Sequence, residues 1–138
     1  MLDLGSSLIA SVNRDPSSIA LTYNNKNLTY LEWFKIISNL SNSLFELGLK
    51  KGDKILTVLQ NNFEACTVHW SCQITGIIIV PINWRAKAKE IDFFVQDSEA
   101  KAIIFQDISF DEVQLSKETK KLIQITLDKK SNNFIIFK

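Results

Sequence analysis

Thr75-Gly76-Ile77-Ile78-Ile79-Val80-Pro81-Ile82-Asn83-Trp84-Arg85 is the stretch that decides the fold. Four β-branched residues follow a glycine and stop at a proline. Without polar alternation they read as a short central strand over 77–80, buried on both faces. Gly76 closes the segment before it, and Pro81, which has no amide hydrogen to donate, ends the strand. Asn83-Trp84-Arg85 then lies beyond the carboxyl end of that strand, the edge of an open α/β sheet where ligands are usually bound.

On the amino-terminal side, Asn61-Asn62-Phe63-Glu64 has the form of a helix cap with a carboxylate in the first turn. It predicts a helix over 63–75 that buries Phe63, Cys66, Trp70 and Ile74 on one face. Residues 54–59 precede it as a strand, behind the turn Lys50-Lys51-Gly52-Asp53. Further back, Thr29-Tyr30-Leu31-Glu32 fits a capping box. Trp33, Ile37, Leu40, Leu44 and Leu47 follow at helical spacing, with Ser41 and Ser43 small enough for close packing and Gly48 as the stop. Residues 19–30 predict a hairpin turning at Asn24–Asn27, and residues 2–12 a short first helix. On the carboxyl-terminal side, a helix over 87–97 buries Ile91, Phe94 and Val95, and a strand spans 101–105. Residues 107–112 read as loop, 115–121 as a short helix, 122–127 as a strand and 128–133 as a turn. Phe134-Ile135-Ile136-Phe137 is an apolar run that either pairs in a sheet or continues into missing structure.

Strand, helix, strand, helix, strand through the middle implies an α/β fold: a mostly parallel sheet with helices on both faces. The 138 residues suit one domain, with 46% hydrophobic and 22% charged residues and a net charge of +1. That balance, with Arg14 and Arg85 as the only arginines, points away from nucleic acid. Cys66 and Cys72 are six apart on a helix, so they face different ways and read as buried, reduced thiols of a cytoplasmic protein. One histidine without HxxxH or CxxC company makes no metal site, and His69 reads as a core residue like Trp33 and Trp70. The uncharged window from Ala65 to Trp84 is broken by Gly76 and Pro81, so no transmembrane segment is expected. Asp53 and Asp97 read as turn and helix-end residues. Neither G-x-G-x-x-G nor G-x-x-x-x-G-K-[ST] occurs.

Three segments in order carry a family resemblance. The first joins Leu28-Thr29-Tyr30-Leu31-Glu32 and Leu40-Ser41-Asn42-Ser43-Leu44 to Leu47-Gly48-Leu49-Lys50-Lys51-Gly52-Asp53-Lys54-Ile55. The second joins Asn61 and Glu64 to Gly76 and Val80-Pro81-Ile82-Asn83. The third is Glu90-Ile91, Asp97-Ser98-Glu99-Ala100-Lys101 and the strand that follows. Together, over residues 19–107, they resemble the N-terminal part of the adenylate-forming superfamily of acyl-CoA synthetases, peptide-synthetase adenylation domains and luciferases. Pro81-Ile82-Asn83-Trp84-Arg85 is similar to the acid–CoA ligase branch, although Ala86 stands where a leucine is usual.

The resemblance implies a two-step reaction. A small-molecule carboxylic acid attacks ATP, with Mg2+, to give an acyl-adenylate and pyrophosphate; the thiol of coenzyme A then displaces AMP. It also implies that the chain is one partial domain, residues 1–138, the opening portion of such an enzyme. The family's phosphate loop is rich in glycine, and this chain has no glycine after Gly76. No catalytic residue is assigned, and ATP, Mg2+ and CoA are not expected to bind tightly to this chain alone. Arg85 has two readings: a contact to a CoA phosphate, or a structural salt bridge to a neighbouring helix carboxylate such as Glu90. The alternatives to a ligase segment are a stand-alone α/β ligand-binding module and a structural or interaction module. An unfinished sheet edge at 134–137 implies self-association.

Overall fold

The computed structural model describes residues 3–127 and the backbone of residues 135 and 136. The chain runs α1 (Leu4–Arg14), β1 (Ile19–Tyr23), β2 (Lys26–Thr29), α2 (Tyr30–Glu46), β3 (Lys54–Val58), α3 (Phe63–Thr75) and β4 (Ile78–Pro81). It continues with α4 (Ala88–Ser98), β5 (Ala102–Phe105), α5 (Phe110–Leu115), β6 (Ile123–Thr126) and β7 (Ile135–Ile136). Short 3-10 turns, Asp107–Ser109 and Glu118–Lys121, flank α5.

The strands β3 to β7 form one parallel sheet in the order β4-β3-β5-β6-β7. Alternation within the strands divides it into two apolar faces. Ile55, Ala102, Ile104 and Ile125 pack with Leu40 and Leu44 of α2 and Val68 and Cys72 of α3. Leu56, Val58, Ile103 and Phe105 point the other way, to Ile91 and Val95 of α4 and Val113 of α5. β3 and β5 have neighbours on both sides and helices on both faces, so their apolar runs show no polar alternation.

β4 departs from the sequence reading. It is an edge strand among the described strands, not a central one, and Ile78 is 46% exposed. An apolar run states that burial is available, whereas strand order depends on which side each crossover returns to. Pro81 is tolerated because of this placement. The amides of Ile78 and Ile82 bond back to Asp53 and Thr57, so those of Ile79 and residue 81 face outward, where a missing donor costs the ladder nothing. Gly76 does close α3, in the left-handed region at φ 74°.

The hairpin β1–β2 turns on Asn24 and Asn25, both at positive φ, a two-residue connection shorter than the four residues expected. It packs with α1, α2 and α3 around Leu8, Val12, Trp33 and Ile37. Gly5 lets α1 approach α3 closely: a Cβ there would lie 2.7 Å from the carbonyl oxygen of Gln73. The capping box at Thr29 and Glu32 forms as expected.

Further readings are corrected. In α3 the buried residues are Thr67, Val68, Ser71 and Cys72, while Phe63, Trp70 and Ile74 are half-buried and Cys66 is exposed. The hydroxyls can face inward because each is bonded. Trp33 Nε1 donates to Thr67 Oγ1 at 3.0 Å, and Ser41 and Ser71 share a hydrogen bond at 3.0 Å. Burial pushes the Cys72 thiol up to about 12, so only Cys66 of the two is accessible. Ser43 faces solvent, and Phe94 is half-buried. The helix expected over 115–121 lies instead at 110–115, beginning within the stretch read as loop, and a 3-10 turn occupies 118–121; Val113 is the one buried residue of the helix, too little for a periodic signal. The expected turn at 128–133 and the ends of the 134–137 run lie outside the described residues. Among the described residues no helix is long and apolar enough to cross a membrane.

Candidate functional site at the carboxyl edge of the sheet

Three loops emerge at one end of the parallel sheet, residues 59–62 after β3, 82–87 after β4 and 106–109 after β5. From β3 the chain turns to the face covered by α2 and α3. From β4 and β5 it turns to the opposite face. Neighbouring connections diverge to opposite faces at the carboxyl ends, the usual ligand position in such sheets. Gln106 ties two of the loops together, its Oε1 accepting the amide of Gln60 at 2.6 Å.

The loop after β4 is tightly organised. Asn83 Oδ1 accepts the amide of Arg85 at 3.0 Å, and the Asn83 carbonyl accepts that of Ala86 at 2.9 Å. This local turn, of the kind asparagine favours, fixes the backbone of Arg85. The guanidinium carbon of Arg85 lies 4.3 Å from the centroid of the Trp84 ring, a cation–π stack. Trp84 is itself packed against the core cluster that holds Ala86 and Ile91, so the stack has a fixed floor. The expected pairing of Arg85 with Glu90 is not formed: among the described residues no ion pair reaches Arg85, and Glu90 Oε2 accepts the amide of Lys87 at 2.7 Å. Exposed and with no ion-pair partner among the described residues, the guanidinium has donors open to solvent.

Lys87 and Glu112, two ionised groups nearby, are engaged with each other. Lys87 Nζ lies 2.9 Å from Glu112 Oε1, and the amide of Ala88 donates to Glu112 Oε2 at 2.9 Å. The ammonium of Lys87, then the Ala88 amide, hold the Glu112 carboxyl below its usual range, and Glu112 pushes Lys87 up. Ser109 Oγ donates to the Trp84 carbonyl at 2.8 Å. Ser109, Glu112 and Gln106 were not singled out in the sequence, although Ser109-Phe110-Asp111-Glu112 shows the S-x-x-E spacing that marks a helix start.

Other expected residues are accounted for elsewhere. His69 is half-buried with its ring 5.4 Å from that of Trp70, edge to face. Asp53 serves its turn and lies 2.6 Å from Lys101. Among the described residues no three His, Cys, Asp or Glu gather as a metal site would need. A hollow of about 230 Å³ lies beside the β3–α3 loop, lined by residues including Tyr23, Asn62, Phe63 and Cys66. That is below the size of ordinary small-molecule pockets.

Comparison with known proteins gives a consistent answer. The family model described as AMP-binding enzyme matches residues 8–135. The long-chain-fatty-acid–CoA ligase FadD13 of Mycobacterium tuberculosis is 31% identical over 78 residues, covering 56% of this chain and 16% of FadD13. Among solved structures, coronafacic acid ligase from Pectobacterium brasiliense superposes with a TM-score of 0.88 at 24% identity, covering 99% of this chain and 28% of that one. The anthranilate CoA ligase AuaEII, in complex with anthranoyl-AMP, gives a TM-score of 0.89 at 16% identity, covering 99% and 27%. The chain thus spans about a sixth to a quarter of the length of these relatives.

Proposed function

The chain belongs to the AMP-binding enzyme family, corresponding to the N-terminal part of its members, and on that premise we propose that it is the scaffold portion of an ATP-dependent acid–CoA ligase in which Arg85 meets a phosphate of coenzyme A. In the reaction proposed, an oxygen of the substrate carboxylate attacks the α-phosphorus of ATP and pyrophosphate leaves. The CoA sulfur then attacks the acyl carbon, its proton is lost, and AMP departs. The residues of this chain contribute to binding and orientation: the parallel sheet carries the loops, the Asn83 turn fixes the backbone of Arg85, and the Trp84 ring supports the guanidinium. ATP and Mg2+ belong to the first step, for which this chain provides no cationic cluster among its described residues. Residence in the cytoplasm and self-association of the isolated chain through an unfinished sheet edge are part of the same reading.

The observation that carries the proposal is the stacked guanidinium of Arg85 at the carboxyl edge, exposed and without an ion pair among the described residues. In a ligase of full family length that contains this segment, Arg85→Ala should slow thioester formation far more than adenylation. Loss of a charge-assisted phosphate contact corresponds to about 1.5–3 kcal/mol, roughly tenfold to a hundredfold. Rapid-quench measurement of the two half-reactions separates them. Equal losses in both would show that Arg85 serves the fold and not the thiol substrate.

A further inference from the structure

At two helix starts a Thr or Ser N-cap stands three residues before a Glu, and the two pairs use that spacing differently. Thr29 and Glu32 close a capping box in the ordinary way, the threonine hydroxyl and the glutamate carboxylate each accepting a free amide at the start of α2. Ser109 and Glu112 stand at the same spacing at the start of α5, yet neither side chain caps α5. The Ser109 hydroxyl donates to the carbonyl of Trp84. Glu112 takes the ammonium of Lys87 on one oxygen and the amide of Ala88 on the other. Both side chains therefore reach out of their own helix to the loop that carries Arg85.

We propose that Ser109 and Glu112 are positioning residues that clamp residues 84–88 from outside and so hold the Trp84–Arg85 stack in place for the phosphate-bearing thiol substrate. The substrate part rests on the reading of Arg85 given above. Ser109 is 1% exposed, and a buried hydroxyl is tolerated only with a partner. That partner is the carbonyl between the two residues of the Asn83 turn that matter, Asn83 before it and Arg85 after it. The turn is closed from within by Asn83 and from without by Ser109, while Glu112 fixes the exit of the loop into α4. A six-residue helix has little stability of its own, and α5 leaves its own first amides without these two side chains. The arrangement serves the loop more than the helix. A long arginine side chain loses less freedom on binding an anion when its turn and the ring beneath it are already fixed.

Amide hydrogen exchange of the 138-residue chain tests the clamp directly. The amides of Arg85 and Ala86 bond to Asn83 and touch neither clamp residue. In Ser109→Ala they should exchange faster by about fivefold, the ratio given by one lost hydrogen bond of ordinary strength, while Leu56 and Ile104 in the sheet keep their protection. Glu112→Gln, at a partly exposed position, should show the same local acceleration and decides the matter if Ser109→Ala does not fold. Unchanged exchange at 85 and 86, or a uniform rise through the sheet, would overturn the clamp. In the full-length ligase, Ser109→Ala should raise KM for CoA by a similar factor with little change in kcat; accelerated exchange with an unmoved KM would overturn the substrate part. The exchange measurement needs no CoA, so it stands or falls separately from the role of Arg85.

Discussion

Thr67 shows how much one hydroxyl can hold. It is fully buried, donates to the Phe63 carbonyl at 2.9 Å and accepts the indole N–H of Trp33 at 3.0 Å. Thr67→Val keeps the shape and removes the acceptor, leaving the Trp33 donor buried without its partner. A stability loss of about 1–3 kcal/mol is expected in chemical denaturation. A change within about 0.5 kcal/mol, the range of ordinary surface substitutions, would show that the indole N–H finds another acceptor. The sequence concealed this pair because periodicity counts apolar side chains. Phe63, Cys66, Trp70 and Ile74 gave the stripe, whereas the face that packs on α2 and the sheet is Thr67, Val68, Ser71 and Cys72. Ser41 and Ser71 meet there as well, close packing that was legible for Ser41 and not for Ser43. Arg85 was legible as a loop residue beyond a strand end; its stack on Trp84 and its distance from Glu90 are matters of side-chain geometry that spacing does not encode.

The helices and strands of the middle of the chain were readable because each carries its own punctuation. Asn62 and Gly76 bound α3, Thr29 and Glu32 start α2, and the crossovers oblige the strands to be parallel. Edge position was not readable for β4, since the same run of isoleucines suits a covered strand or an edge strand whose outer side chains stay half-exposed. The proline was the available signal. Its missing amide faces outward, leaving Ile79 as the outward donor within the strand and blunting a template for strand addition. Pro81→Val should therefore leave the fold intact and increase self-association, read as a rise in weight-average mass with concentration by sedimentation. An unchanged mass distribution for folded Pro81→Val would mean that Pro81 does not protect this edge. α5 was missed for a different reason: it is six residues with one buried side chain, and Ser109 and Glu112 at its start bond to the loop after β4, which is tertiary information.

At the scale of the whole molecule, the sheet has apolar cover on both faces and a third cluster seats the hairpin, so the chain has the means to hold its edge loops in place. Holding loops in place is a different task from adenylation. Moving an adenylyl group to a carboxylate requires the triphosphate to be gripped and its developing charge met by donors fixed in advance, which accounts for most of the rate in such reactions. Backbone amides approach phosphates closely where glycine permits it, and this chain has four glycines, none beyond Gly76. Of its two arginines, Arg14 at the end of α1 pairs with Asp15, and Arg85 at the edge has no ion pair among the described residues. The 138-residue chain is therefore expected to show no carboxylate-dependent exchange of labelled pyrophosphate into ATP with magnesium, across a panel of aliphatic and aromatic acids. Exchange above the acid-free background would place an adenylation site within these residues. It would then have to lie among the loops at the carboxyl edge, and Arg85→Ala, Gln106→Ala and Lys87→Ala would locate it.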